Sequence, residues 1–276
     1  MSDELQVRTL LHDYALEAPT PDFGSDLWDR GRARRKKGRR YAGVGVVVAA
    51  TALAVFGYAA IDSNIARRSM PAGPPSPSPS VTAPTATLLP DGPLAAGTYA
   101  FKTFVPAFDA SHLVTMDVPG GYEGGGNFVI FHGPGQGIST WIIGNVFAEP
   151  CHSSGTLLDP PVGSSVHDLV AALESQKQRH ASTPTDVTLD GFTGKYLEMT
   201  VPAGIKLADC DGGEFRTWVH PQGGQRSLEP GQRDLLWIVN VDGVPLVIDA
   251  ALGPATSGQD RAERIQIVES TQIERL

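Results

Sequence analysis

The chain has 276 residues, of which 41% are hydrophobic and 19% are charged. This apolar fraction is sufficient for a hydrophobic core, so disorder along the whole chain is excluded. The formal net charge of −8 makes nucleic acid a poor partner, and two cysteines cannot complete a four-cysteine zinc site.

Charge is distributed in blocks along the chain. Residues 1–29 carry seven acids and one arginine, whereas residues 30–40 carry eight basic residues and no acid. Residues 41–61 are uncharged, and residues 94–276 carry 11 basic and 21 acidic residues, a net charge of −10. Blocks of this kind indicate segments in different physical environments rather than faces of one globule.

The uncharged segment from Tyr41 to Ile61 predicts a transmembrane helix. At about 1.5 Å per residue it spans roughly 31 Å, which matches a hydrocarbon core of about 30 Å. The basic residues before it predict a cytoplasmic N-terminus and an extracellular C-terminal part. A cleaved signal peptide, with small residues at Gly57 and Ala59, is the alternative. The 40 preceding residues are long for a signal peptide and favour an uncleaved, single-pass signal anchor in the cell membrane.

Two further segments flank this predicted helix. Residues 1–40 are interpreted as a cytoplasmic stub, in which Val7, Leu10, Leu11 and Tyr14 have the spacing of one face of a short helix. A solvated tail is the alternative for this stub. The basic run 30–40 predicts contact with anionic membrane lipid. Residues 62–93 are rich in Pro, Ser and Thr, which favours an extended linker.

Residues 94–276 predict an exported α+β domain built on antiparallel sheet. Strands are predicted over 98–105, 113–118, 128–131, 139–147, 186–189, 192–201, Phe215–Val219, 235–241 and 244–251. The dipeptides Asp190-Gly191 and Asp242-Gly243 predict tight hairpin turns. Because the arms of the second hairpin are almost wholly apolar, we expect them in the middle of a sheet that is covered on both faces.

Two helices are predicted beside this sheet. One spans 166–180 and begins after Ser165, and the other begins near Ser257 and runs towards Gln272. In an exported domain, Cys151 and Cys210 are expected to form a disulfide that closes about 60 residues. A pair of reduced structural cysteines is the alternative.

Two stretches resemble known proteins. Residues 186–202 (DVTLDGFTGKYLEMTVP) and 236–272 (LWIVNVDGVPLVIDAALGPATSGQDRAERIQIVESTQ) resemble parts of uncharacterised actinobacterial single-pass membrane-anchored proteins. The layout of the exported domain distantly resembles the Mog1/PsbP-like fold, which implies an antiparallel sheet with a final helix and no defined activity. The stub and basic run are similar to segments of membrane proteins associated with alternative sigma factors, which implies a transcription factor as a cytoplasmic partner.

No catalytic residue, cofactor site or metal site is predicted. The seven histidines include no His-x-x-x-His pair, and Ser139 lacks the closing glycine of a nucleophile elbow. The glycines of 120–126 are interpreted as a flexible loop between strands rather than a phosphate loop. The acids of 209–214 are interpreted as a solvated turn beside the disulfide, with a calcium loop as the alternative. Trp141, Trp218 and Trp237 are predicted core residues.

Three functions are compatible with these patterns. The first is a membrane protein whose exported domain is a non-enzymatic module that binds or senses an unknown extracellular ligand or protein. The second is a transmembrane regulator whose stub binds a sigma-type transcription factor. The third is an exported hydrolase with a dispersed site, which predicts a histidine within hydrogen-bond reach of a serine or a carboxylate.

Overall fold

The computed structural model describes residues 86–133 and 135–276. The predicted stub, basic run and transmembrane segment, together with most of the predicted linker, lie outside these residues and remain predictions. In the part of the chain that is described, no helix has both the length and the apolar character needed to cross a bilayer.

The described residues form sixteen strands and three α-helices. The helices are α1 (Pro106–Asp109), α2 (Val166–Glu174) and α3 (Gly258–Glu269). The first eight strands are β1 (Thr87–Leu88), β2 (Gly92–Pro93), β3 (Gly97–Phe101), β4 (His112–Val118), β5 (Glu123–Gly125), β6 (Val129–Phe131), β7 (Gly137–Ile142) and β8 (Asn145–Val146). The others are β9 (His180–Ala181), β10 (Thr185–Leu189), β11 (Phe192–Thr200), β12 (Phe215–Val219), β13 (Gln225–Leu228), β14 (Arg233–Val241), β15 (Val244–Leu252) and β16 (Gln272–Arg275).

These strands form three sheets. The central nine-stranded sheet has the order β10-β11-β14-β15-β7-β6-β5-β2, with β9 paired to β11. A four-stranded sheet has the order β1-β3-β4-β16, and a three-stranded sheet has the order β13-β12-β8. All pairings are antiparallel except β1 with β3. An antiparallel-sheet domain with helices is therefore confirmed for the described part.

Strands β14 and β15 lie in the middle of the central sheet, as their apolar sequences predict. Leu235 and Trp237 pack in one core with the four-stranded sheet and α3. Leu236 and Ile238 point to the opposite face and pack in a second core with α2 and the three-stranded sheet. Because successive strand residues face opposite sides, both faces of these strands are buried between covering layers.

Sequence signals fix the turns and helix starts. The turn residues Asp190 and Asp242 have φ values of 46° and 51°, which the Asp-Gly hairpins require. The Ser165 and Ser257 side chains each accept a hydrogen bond from the backbone N–H three residues later, so both predicted N-caps are confirmed. The Cys151–Cys210 disulfide is also present, and all three predicted core tryptophans are buried.

Three predicted elements end earlier than the sequence patterns indicate. The strand predicted over 98–105 stops at Phe101, because Pro106 begins the short helix α1. The helix predicted to end at residue 180 stops at Glu174, and His180 belongs to β9. The last helix ends at Glu269, and a strand, β16, follows it.

Two other predictions differ because of contacts that are distant in sequence. The segment 139–147 is not one strand: it divides at Gly144, where an added Cβ would lie 2.9 Å from Pro221 backbone atoms. The glycine segment 120–126 is not simply a loop, since Gly124 pairs with Gly92 in the central sheet. Leu89 is fully buried, so the described end of the predicted linker packs on the domain ahead of residue 94.

Candidate functional site

A surface groove of about 530 Å³ lies where one end of the four-stranded sheet meets α3. It is formed by the start of β3, the end of β4 and the C-terminal half of α3. It is an open depression of the surface rather than an enclosed cavity.

The base of this groove is apolar and firmly held. Val118 of β4 and Ile267 of α3 line it, and each is no more than 3% exposed. The Ser270 Oγ accepts a hydrogen bond of 2.9 Å from the Asp117 N–H and donates one to the Ile267 carbonyl. Ser270 therefore ties the end of the helix to the end of the strand.

Two carboxylates, Asp117 and Glu263, stand at the rim of the groove. Asp117 Oδ1 accepts a 2.6 Å hydrogen bond from the Thr98 hydroxyl, and Glu263 Oε1 accepts one of 2.8 Å from the Tyr122 hydroxyl. Burial and the Glu263 contact raise the pKa of Tyr122 well above its ordinary value, so the phenol remains a donor. Both partners are neutral hydroxyl groups, so each carboxylate is oriented while its charge is not cancelled by them.

A second polar cluster lies at the start of β4. The His112 ring has Ser111 Oγ at 2.8 Å from Nδ1 and Asp242 Oδ2 at 3.0 Å from Nε2. Arg275 of β16 holds both oxygens of Asp242, and with the His112 contact it keeps the pKa of that carboxyl well below its usual range. With hydrogen on Nε2, His112 donates to Asp242 and leaves Nδ1 as an acceptor for the serine hydroxyl.

The serine of this cluster has other partners. Ser111 Oγ lies 2.9 Å from the Ala107 carbonyl oxygen and 3.2 Å from that of Phe108. The His112 ring stacks on Phe108 with ring centroids 4.7 Å apart. The single hydroxyl hydrogen is therefore shared between the end of helix α1 and the imidazole, and the cluster also ties the C-terminal strand to the hairpin turn.

The other described histidines do not converge. His220 donates from Nε2 to the Thr103 carbonyl at 2.8 Å, and burial lowers its pKa. His152 and His167 each lie 3.8 Å from an acidic side chain and are largely exposed, while His132 stacks on the Tyr122 ring. Among residues 86–133 and 135–276, no three histidine, cysteine or acidic side chains gather in a way that would hold a metal ion.

The acidic segment 209–214 forms two short 3-10 turns beside the disulfide, Leu207–Asp209 and Asp211–Gly213. Asp211 accepts a hydrogen bond from the Ser154 N–H, whereas Glu214 pairs with Arg216 at 3.0 Å. Their carboxylates thus serve separate local contacts. Ser139 lies in β7 and is buried, where it accepts a hydrogen bond from the Trp141 indole, as expected for a strand residue.

Besides Arg264 of α3, the interior also contains a cluster of four buried ionisable side chains that sequence patterns did not single out. Asp234 of β14 pairs with Arg179 at 2.7 Å, and Asp249 of β15 pairs with Arg226 of β13 at 2.9 Å. Burial, reinforced by nearby Asp234, raises the pKa of Asp249 to about 7. Asp234 and Asp249 are acidic residues within otherwise largely apolar strands, and this is the sequence signal that could have identified them. Their complete burial makes them an internal tie rather than a ligand site.

Sequence patterns also missed the groove acids. Asp117 and Glu263 are separated by more than 140 positions, and neither belongs to a recognisable motif. The only hint is that Glu263, Gln266 and Ser270 recur with helical spacing, which places three polar side chains on one face of α3.

Comparison with known proteins finds no matching family model and no matching curated protein. Among solved structures, the chain is similar to the solution structure of cyanobacterial PsbP (CyanoP) from Synechocystis sp. PCC 6803. The identity is 12%, the match covers 66% of this chain and 94% of that one, and the TM-score is 0.32.

Proposed function

We propose that this protein is a single-pass membrane protein whose exported domain is a non-enzymatic binding or sensing module. The observation that carries the proposal is the groove between β3, β4 and α3, with its apolar base and oriented rim carboxylates. A binding site needs apolar surface for affinity and a few placed polar groups for orientation, and this groove supplies both.

Site-specific photo-crosslinking in intact cells tests this proposal. A photoreactive amino acid replaces Gln266, an exposed residue on the groove wall, or Glu174, an exposed residue of α2 in the opposite covering layer. We expect a discrete crosslinked product from position 266 and none of the same mass from position 174. The same products from both positions, or no product from position 266, would contradict the proposal.

A second candidate function, an exported hydrolase, is favoured by the placement of His112 between Ser111 and Asp242. In this reading the Ser111 oxygen attacks the carbonyl carbon of an ester while its proton passes to His112 Nδ1, and Asp242 stabilises the resulting imidazolium. The ester C–O bond then breaks, the leaving alcohol takes the proton from His112, and water releases the acyl group from Ser111. Ser111 is exposed, as a nucleophile must be.

A fluorophosphonate probe distinguishes this candidate from the first. Attack by Ser111 would form an oxygen–phosphorus bond and release fluoride, and the proton would pass to His112. The hydrolase reading predicts labelling of the full chain that is lost in Ser111→Ala and retained in Ser154→Ala, which removes another exposed serine. Absence of labelling, or equal labelling of both variants, removes this candidate.

A further inference from the structure

We propose that the groove binds a cationic segment of an extracellular peptide or protein, in which a lysine or arginine side chain lies along the apolar base and reaches the rim carboxylates. This inference rests on the proposed function, because it names the partner class for the same groove.

The rim of the groove carries two acidic side chains. Asp117 and Glu263 accept hydrogen bonds only from the hydroxyl groups of Thr98 and Tyr122 among the side chains described. The ion pairs formed by described residues do not include either carboxylate. Two carboxylates therefore stand at the rim without an ion pair from residues 86–133 and 135–276; the guanidinium of Arg264, the residue after Glu263, is buried and donates to the Asp260 and His132 carbonyls and to Gln136 instead.

The surface of the domain as a whole is also acidic. Of the 21 acids and 11 basic residues in 94–276, two acids and three arginines are buried, which leaves 19 acidic and 8 basic groups at the surface. Six of these eight basic groups are paired with acids away from the groove: Lys177, Lys195, Arg216, Arg233, Arg261 and Arg275. A surface of this kind attracts cations and repels anionic ligands.

The groove combines apolar lining with acidic groups at its rim. A lysine or arginine side chain carries its charge at the end of an apolar stem, which is the amphipathic form that this groove accommodates. Ala96 and Pro119, which also line the groove and are more exposed than Val118 and Ile267, offer apolar contact to the stem. The carboxylates offer charge-assisted hydrogen bonds to the head. A neutral apolar ligand would gain no charge-assisted hydrogen bond from the rim carboxylates, and an anionic ligand would be repelled.

Binding of matched peptides by the full chain in detergent tests this inference. The probes are fluorescein-labelled GKLKLG, the same peptide with both lysines acetylated, and GELELG, and fluorescence anisotropy reports their binding. We expect GKLKLG to bind most tightly and GELELG least, with a preference that weakens as ionic strength rises. Both acids retain their hydroxyl contacts in Asp117→Asn and Glu263→Gln, so we expect each variant to lose about two- to fivefold in affinity for GKLKLG.

Control variants separate the groove from the general charge of the domain. Glu174→Gln removes one exposed acid from the opposite layer and is expected to leave affinity for GKLKLG nearly unchanged. Gln266→Lys places a positive charge on the exposed groove wall and is expected to weaken binding, whereas Gln266→Glu is expected to strengthen it. Both positions are exposed, so these substitutions do not disturb the core.

The outcomes distinguish this inference from the proposed function. If the lysine and acetyl-lysine peptides bind equally and Gln266→Trp abolishes both, the groove is a binding site, as proposed, but the cationic partner class is wrong. If Glu174→Gln weakens binding as much as Asp117→Asn, attraction is a property of the whole surface and the inference is overturned. Failure of all three peptides to bind overturns it as well, while the crosslinking experiment decides the proposed function independently.

Discussion

Replacement of Asp249 by asparagine should remove a pH-dependent component of stability. Asp249 is completely buried and shares one side of the central sheet with Asp234. Asparagine has the same shape, and its oxygen can accept the 2.9 Å hydrogen bond from Arg226 Nε, so the packing is preserved. What changes is that the side chain no longer gains or loses a proton.

The sign and the size of the effect follow from the pKa. The folded-state pKa of Asp249 is about 7, against an ordinary value of 3.8. Between these values the folded protein retains a proton that the unfolded chain has lost, so this group lowers stability as pH rises. Each unit of pKa difference is worth about 1.4 kcal/mol, and the two pKa values differ by roughly three units. Between about pH 4 and pH 8, the free energy of unfolding of the wild type should therefore fall by about 4 kcal/mol relative to that of Asp249→Asn.

Urea denaturation followed by tryptophan fluorescence measures this difference, since Trp141, Trp218 and Trp237 are all buried in the domain. Asp242→Asn is the control of opposite sign. The pKa of exposed Asp242 is lowered, so its contribution is lost as pH falls rather than as it rises. A difference between wild type and Asp249→Asn that stays constant from about pH 4 to pH 8 would refute the reasoning, because Asp249 would then be ionised throughout.

Three further predictions concern stability. The double substitution Cys151→Ala and Cys210→Ala should lower the free energy of unfolding by about 4 kcal/mol. Reduction of the disulfide in the wild type should have a similar effect, and an unchanged urea midpoint would contradict this prediction. Gly124→Ala should lower the free energy of unfolding by about 1–3 kcal/mol, because an added Cβ would lie 2.0 Å from the Pro90 carbonyl oxygen. Gly204→Ala is the control, since a Cβ at that position meets open space. Equal urea midpoints for the two variants would show that Pro90 does not pack against Gly124. Ser257→Ala should cost about 1 kcal/mol and increase hydrogen exchange in the first turn of α3, and unchanged exchange would mean that the cap contributes nothing.

The features that sequence predicted well are encoded within a few neighbouring residues. The Asp242-Gly243 turn needs positive φ at both positions, and the serine caps need only the backbone three residues ahead. The apolar run of β15 predicted a strand buried on both faces, because a strand with apolar residues on both sides would otherwise expose one apolar face to water. The cysteine pairing followed from the expected compartment and the count of two.

The features that sequence missed depend on contacts between distant residues. The break at Gly144 is set by the backbone near Pro221, and no local pattern indicates that contact. The buried pair of Arg179 with Asp234 joins positions 55 residues apart. The groove likewise requires a strand end and a helix that are far apart in the chain, so Asp117 and Glu263 become a pair only after folding.

Cysteine accessibility in intact cells tests the account most directly, because it asks whether the groove faces the outside. Gln266→Cys adds a thiol at the exposed groove wall, and Ser25→Cys adds one in the predicted cytoplasmic stub. We expect a membrane-impermeant maleimide to label position 266 without permeabilisation and position 25 only after it, with the peptide GKLKLG slowing the reaction at position 266. Labelling of position 266 only after permeabilisation would contradict the account.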